Sequence, residues 1–290
     1  MQRRSFLKSS VLGAVLSNII PATGYASPKE STKKYRREFY ELRVYTLKNK
    51  EQEKLIENYF ENAAIPALNN SGIKNIGVFK ELKPEAQTKI YVVIPFRSLD
   101  EFAQIAERLS NDDEHLKAGF DYLNAPASAP AYESVESSLH IAFTGMPKIV
   151  LPEKAPRIFE LRRYQSANEM AGKKNIEMFN NVGELEIYKR VGLNPVFFGE
   201  AFIGSTHPNL TYMLTYNNMA AHDRAWKGFN KDQEWKQIKT MSEYADENLV
   251  PRITSTFLTP AACFRYNIPA MGNRYFFNLY FLLTFGLLKY

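Results

Sequence analysis

An eight-residue stretch occurs twice in this chain. Residues 38–45 read Glu-Phe-Tyr-Glu-Leu-Arg-Val-Tyr, and residues 157–164 read Arg-Ile-Phe-Glu-Leu-Arg-Arg-Tyr. The offset is 119 within this stretch. It is 120 between Gly72 and Gly192 and between Ile90 and Leu210, and it holds through Asp112 and Asp232. A repeat this constant decides the architecture before any motif does, because each copy must be one folding unit of the same kind.

Each copy spells the same order of elements. In the first, residues 38–45 alternate and are rich in aromatics, as a strand is. Residues 51–70 place Leu55, Tyr59, Ala63 and Leu68 at helical spacing, and Gly72 stands where a left-handed cap ends a helix. Short strands follow at 76–80 and 90–96. Ser98 caps a second helix with Leu99, Phe102, Ile105, Ala106 and Leu109 on one side. An Ala- and Pro-rich loop over 124–131 precedes a last strand over 132–142. The second copy predicts a strand at 157–164, one helix over 173–191, strands at 196–200 and 210–216, a helix opened by Asn218, and a closing strand at 253–258.

The order β-α-β-β-α-β is the ferredoxin-like unit. Its sheet carries helices on one face and leaves the other face to be buried elsewhere. Two units in one chain can cover each other's open faces. The predicted fold is therefore α+β: two tandem ferredoxin-like modules, 38–144 and 157–260, joined by a linker over 145–156 with three prolines, together forming a barrel.

The flanks differ from this body. Residues 1–26 hold Arg3-Arg4-Ser5-Phe6-Leu7-Lys8, an apolar run from Val11 to Ile20, and Gly24-Tyr25-Ala26 before Ser27. This pattern predicts a secretory leader, resembles the twin-arginine type, and implies a periplasmic or otherwise exported protein. Residues 27–37 read as a linker. Residues 261–290 form an atypical apolar tail whose run from Tyr275 to Leu288 is too short to span a membrane as a helix. Two readings of the tail stay open: an anchor lying on a membrane surface, or an extension unrelated to the fold.

The formal charge of +6 sits in these flanks. The leader carries Arg3, Arg4 and Lys8 and no acid; the tail carries Arg265, Arg274 and Lys289 and no acid. The middle is neutral and has no general field to attract a nucleic acid. A single cysteine, Cys263, rules out an intrachain disulfide or a multi-cysteine metal site. No pair of histidines has metal-ligand spacing. The Gly-x-Ser-x-Gly, phosphate-loop and dinucleotide-binding signatures are missing.

Chemistry is expected on the first strand of each module. Side chains alternate along a strand, so Glu41, Arg43 and Tyr45 share one face, and Glu160, Arg162 and Tyr164 share its counterpart. If Leu42 and Leu161 meet the helices, these acids and guanidiniums point into the barrel. They would form a polar lumen that binds a small molecule, or a structural Glu–Arg network. His222, early in a helix beside Asp223 and one turn before Trp226, is the best single catalytic candidate. Trp226 and Trp235 can stack a flat ligand or serve as core. His140, in the last strand of the first module, has no evident partner; His115 and His207 sit in polar stretches expected to be exposed.

The two openings, together with Pro195-Val196-Phe197-Phe198-Gly199-Glu200 and Ala221-His222-Asp223-Arg224-Ala225-Trp226, resemble the NIPSNAP family over about residues 38–260. The resemblance implies the dimeric α/β barrel fold, shared with small monooxygenases and with heme-binding and heme-degrading proteins. It implies no established activity. Three readings remain open: a small-molecule-binding protein, using the lumen or the helix-side cleft near His222; an enzyme of monooxygenase or heme-related type acting on an apolar or heme-like substrate, its cofactor unassigned and heme one candidate; and an interaction module, including a homo-oligomer.

Overall fold

The computed structural model describes residues 36–84, 87–244 and 249–261. The leader, most of the linker after it, and all but the first residue of the tail, Cys263 included, lie outside the described residues.

The first module runs β1 (Phe39–Leu47), α1 (Lys50–Tyr59), α2 (Ile65–Asn70), β2 (Gly77–Glu81), β3 (Thr88–Phe96), α3 (Leu99–Ser110), α4 (Asp113–Ala118), α5 (Phe120–Leu123) and β4 (Ser134–Ala142). The second runs β5 (Ile158–Gln165), α6 (Glu169–Asn181), α7 (Glu184–Val191), β6 (Asn194–Ile203), β7 (Asn209–Tyr216), α8 (Met219–Lys231), α9 (Gln233–Ile238) and β8 (Arg252–Pro260). The predicted caps are present. Ser98 accepts from the Glu101 amide, Asn218 accepts from the Ala221 amide, and Gly72 and Gly192 take φ of +87° and +85°.

One helix departs from expectation. The stretch predicted as a single helix over 173–191 is two helices, broken at Gly183 with φ +105°. The equivalent place in the first module, Ala63, lies in a π-helical turn, Phe60–Ala64, that joins α1 to α2. Both modules relax the same point of the same helix, one with a wide turn and one with a left-handed glycine.

The eight strands close into a barrel in the order β1-β3-β2-β8-β5-β7-β6-β4, with every pairing antiparallel. Each module contributes its sheet in the same internal order, and the modules join edge to edge through β2–β8 and β4–β6. The architecture is the predicted one: two tandem ferredoxin-like modules forming a dimeric-type α/β barrel. Among the described residues no strand edge of either sheet is left open, so closure of this barrel needs no second copy of the chain.

Three apolar clusters build the interior. One packs β1 and β3 side chains such as Tyr45, Val92 and Ile94 against Ile56, Phe60 and Leu68 of the first module's helices. One does the same in the second module, with Tyr164, Tyr212 and Leu214 against Phe179, Tyr188 and Phe229. The third fills the barrel itself and draws from both modules: Tyr40, Leu42, Val93, Phe159, Leu161, Phe197, Met213 and Leu258.

This settles which face is which, and it reverses the expectation. Leu42 and Leu161 both belong to the cluster that fills the barrel, so Glu41, Arg43, Tyr45, Glu160, Arg162 and Tyr164 face the helices. The alternation holds; the side is inverted. The middle of the lumen is apolar, and polar groups gather toward one end, where Glu136, Ser138, His140 and Arg163 border a void large enough for about one water.

Candidate functional site

In the second module the residues singled out from the sequence converge beneath α8. Arg162, on β5, donates to Glu160 (Nη1 to Oε1, 2.6 Å), to the Tyr212 hydroxyl (Nε, 2.9 Å) and to the Tyr164 hydroxyl (Nη2, 3.3 Å). Glu160 is almost completely buried. It also accepts from Ser255 Oγ (2.7 Å), Tyr216 Oη (3.0 Å) and Trp226 Nε1 (3.2 Å). Tyr212 donates on to Tyr164, and Tyr188 lies 3.2 Å from Tyr212. The Trp226 ring stacks over the Arg162 guanidinium at 4.5 Å.

His222 stands at the edge of this network. Its Nδ1 is 2.8 Å from Asp223 Oδ1, and its Nε2 is 3.6 Å from Glu160 Oε2. Its ring meets Tyr216 and Phe257 edge-on. Asp223 and Ser255 are exposed, whereas His222 and Phe257 are half-buried, so Ser255 and His222 are the partners of the buried Glu160 that lie nearest the surface.

The electrostatics favour one protonation pattern. Burial pushes the Glu160 carboxyl up. The Arg162 charge and the hydrogen bonds from Ser255, Arg162 and Tyr216 outweigh burial and hold it below the ordinary carboxylate range. Burial pushes the phenols of Tyr188, Tyr212 and Tyr216 up, and the nearby Glu160 charge adds to this at Tyr216. The site is a carboxylate–guanidinium pair ringed by neutral hydroxyls, with a histidine at its edge.

The first module carries the same pair with far less around it. Arg43 donates twice to Glu41 (2.7 and 3.0 Å), and Ser137 donates to Glu41 at 2.8 Å. The strand register makes the modules comparable residue by residue. Ser137 stands opposite Arg43 as Ser255 stands opposite Arg162. Opposite Arg43 on the other side is Val92, where Arg162 has Tyr212; opposite Phe39 is Phe96, where Ile158 has Tyr216. Counted from the helix caps Ser98 and Asn218, Phe102 and Ala106 occupy the places of His222 and Trp226. The pair, its serine and the strand tyrosine (Tyr45 and Tyr164) are duplicated; Tyr212, Tyr216, the indole and the imidazole belong to the second copy alone.

Tyr212, Tyr216 and Ser255 are not among the residues picked from the sequence. A signal for them exists: aligning the copies at the 120-residue offset sets Tyr212 against Val92 and Tyr216 against Phe96. The remaining candidates lie elsewhere. Tyr45 is buried under the first module's helices and accepts from the Tyr122 hydroxyl. Trp235 packs against Phe229 in the core rather than beside Trp226. His115, expected at the surface, is buried, with its ring nitrogens 3.1 Å from Tyr59 Oη and 2.9 Å from Leu109 O. His207 is exposed. Both ring nitrogens of His222 face carboxylates, so it does not fit the axial-ligand role that a heme would require. Among the described residues no group of three or more His, Cys, Asp or Glu side chains is placed to hold a metal ion, and no helix is long and apolar enough to cross a membrane.

The fold is shared with solved structures. A proposed monooxygenase of Fusobacterium nucleatum superposes with a TM-score of 0.52 at 10% identity, over 78% of this chain and 93% of its own. One of Lactobacillus acidophilus does so with a TM-score of 0.52 at 9% identity, over 77% and 94%. At these identities the likeness is one of fold. A NIPSNAP-like domain protein of Burkholderia xenovorans is 17% identical over 37% of this chain and 86% of its own, with a TM-score of 0.32. No curated protein matches the chain. The NIPSNAP family model matches residues 40–126 and again residues 159–264, one match per module. The chain belongs to the NIPSNAP family.

Proposed function

We propose that this protein binds a small molecule on the helix-facing side of its second module, at the mouth formed by His222, Tyr216, Ser255 and Phe257. One observation carries the reading. Both modules hold a buried Glu–Arg pair with a serine and a strand tyrosine, but only the second adds Tyr212, Tyr216, Trp226 and a half-buried histidine to it. Binding sites combine an apolar wall with a few convergent polar groups. Here Phe257 and Trp226 supply the wall, and His222 and Ser255 the polar edge. The ligand this suits is a small molecule with a flat apolar part and a hydrogen-bonding group that meets His222.

The test is native mass spectrometry of the protein purified from its own cells, with His222→Ala and Tyr216→Phe beside it. A co-purifying small molecule that both variants lose is the expected result. A ligand-free mass for each of the three proteins would defeat the reading. Hemin addition is a useful control: the two carboxylates on His222 argue against a Soret change that depends on that residue.

We also propose that the chain is exported by the twin-arginine route, supported by Arg3-Arg4 with Phe6-Leu7-Lys8 and by Gly24-Tyr25-Ala26. Sequencing the amino terminus of protein from a periplasmic fraction should give Ser27 first; an intact Met1 in that fraction would refute it.

A further inference from the structure

The segment between the modules does more than connect them. It is pinned on both sides. The Ile149 amide donates to Glu38 Oε2 (2.8 Å), the Val150 amide to the Val196 carbonyl (2.8 Å), and the Gly145 amide to Asn180 Oδ1 (2.8 Å). Between this strap and the starts of β5 and β6 lies a cleft of about 820 Å³, within the range of small-molecule sites. It shares no residue with the mouth around His222.

Its lining is amphipathic and unbalanced in charge. Met146, Val150 and Pro195 supply apolar wall; Lys148, Arg157 and Lys189 face a single carboxylate, Glu153. Lys189 is engaged by Glu186 outside the cleft (2.7 Å). Arg157 is not so engaged: its Nε is buried and has no hydrogen-bond partner. A guanidinium N–H removed from water without an acceptor is unfavourable, and a planar anion relieves it in a bidentate contact. Residues 1–26 and 262–290 contain no acidic side chain, and Glu30 is the one acid of residues 27–35, flanked by basic residues.

We infer that this cleft is a second ligand site, which takes a small organic anion with an apolar body. The anionic group sits on Arg157 and Lys148, and the body lies along Met146, Val150 and Pro195. The site is independent of the reading given to His222.

The experiment is calorimetric titration of the full chain with decanoate, decanol and acetate. Decanoate should bind in the micromolar range, and decanol and acetate at least about tenfold more weakly, since neither combines charge with an apolar body. Arg157→Gln should weaken decanoate by about tenfold or more, and His222→Ala should leave it unchanged. Because Arg157→Gln can disturb the start of β5, Val150→Glu serves as a second variant. Val150 is exposed, and a carboxylate there should abolish decanoate binding without affecting the fold. Equal binding of decanol and decanoate, full decanoate affinity in Val150→Glu, or no decanoate binding at all would each overturn the inference. Displacement of decanoate by a synthetic peptide of residues 262–290 would do so too, by making the tail the occupant.

Discussion

His140 should make this protein lose stability on mild acidification. It lies on β4 facing the lumen, 1% exposed, with Nδ1 unpartnered. Its pKa is pushed down from 6.5 to about 4, first by burial and then by the Arg163 charge, while a hydrogen bond with the Tyr40 backbone works the other way. The folded protein therefore binds the proton less tightly than the unfolded chain does. Between pH 6.5 and about 4 the unfolded state holds more protons, so stability rises with pH through that window. The stabilisation is complete above 6.5 and is lost progressively as the pH falls to about 4. Each pH unit inside the window is worth about 1.4 kcal/mol, so the whole is about 3 kcal/mol, a large part of a typical folding free energy. Urea unfolding of wild type and His140→Leu at several values from pH 7.5 to 4.5 isolates the effect. Groups such as Glu160, whose folded pKa is held low, also destabilise the fold as acid is added, but they do so in both proteins and cancel in the difference. The gap between the two proteins should change by about 2 kcal/mol from pH 7 to pH 5. Parallel pH profiles would show that His140 does not titrate as its surroundings require.

Glu160→Gln should cost about 3–5 kcal/mol in denaturant unfolding, because it leaves a buried guanidinium unbalanced. Glu41→Gln should cost less, since the Arg43 side chain is 30% exposed against 16% for Arg162; equal costs would contradict the burial argument. Gly199→Ala should cost about 1–3 kcal/mol, because the new Cβ would fall 2.7 Å from His140 Cβ, and His140→Gly, which removes that atom, should recover part of the loss. Gly192→Ala should cost about 1–2 kcal/mol of backbone strain at φ +85°; an unchanged melting temperature would refute it.

The repeat made the topology, the caps and the barrel legible. It did not disclose which face of β1 and β5 meets the helices, for a physical reason. In this barrel, with helices outside, both faces of β1 and β5 are covered, so the usual contrast of apolar inside and polar outside disappears along them. Tyr40 and Leu42 on one face of β1, and Phe39 and Tyr45 on the other, are equally good core residues. The Glu–Arg pair misled because charge suggests a solvated space. In fact each pair is neutralised within its own strand, two residues apart, and can be buried against helices. His115 misled in the same way. Its neighbours Asp113, Glu114 and Lys117 point outward, but the ring turns in to meet Tyr59. The break at Gly183 was marked by the glycine, but helical periodicity runs through it on both sides.

What the two modules do not share decides how the shared part should be understood. A buried Glu–Arg pair has to be satisfied, and the first module does this with Ser137 and a partly exposed Arg43. The second module has the same pair and the same serine and could have been satisfied as cheaply. Instead it holds Tyr216, Trp226 and His222 where the first holds Phe96, Ala106 and Phe102. Each exchange puts a polar atom in a region where an apolar side chain packs well, and buried polar atoms specify geometry more than they add net stability. The surplus of donors around Glu160 is thus more than folding needs. Because β2–β8 and β4–β6 lock the modules together from both edges, the first can carry the fold while the helix-facing side of the second is free to diverge around His222.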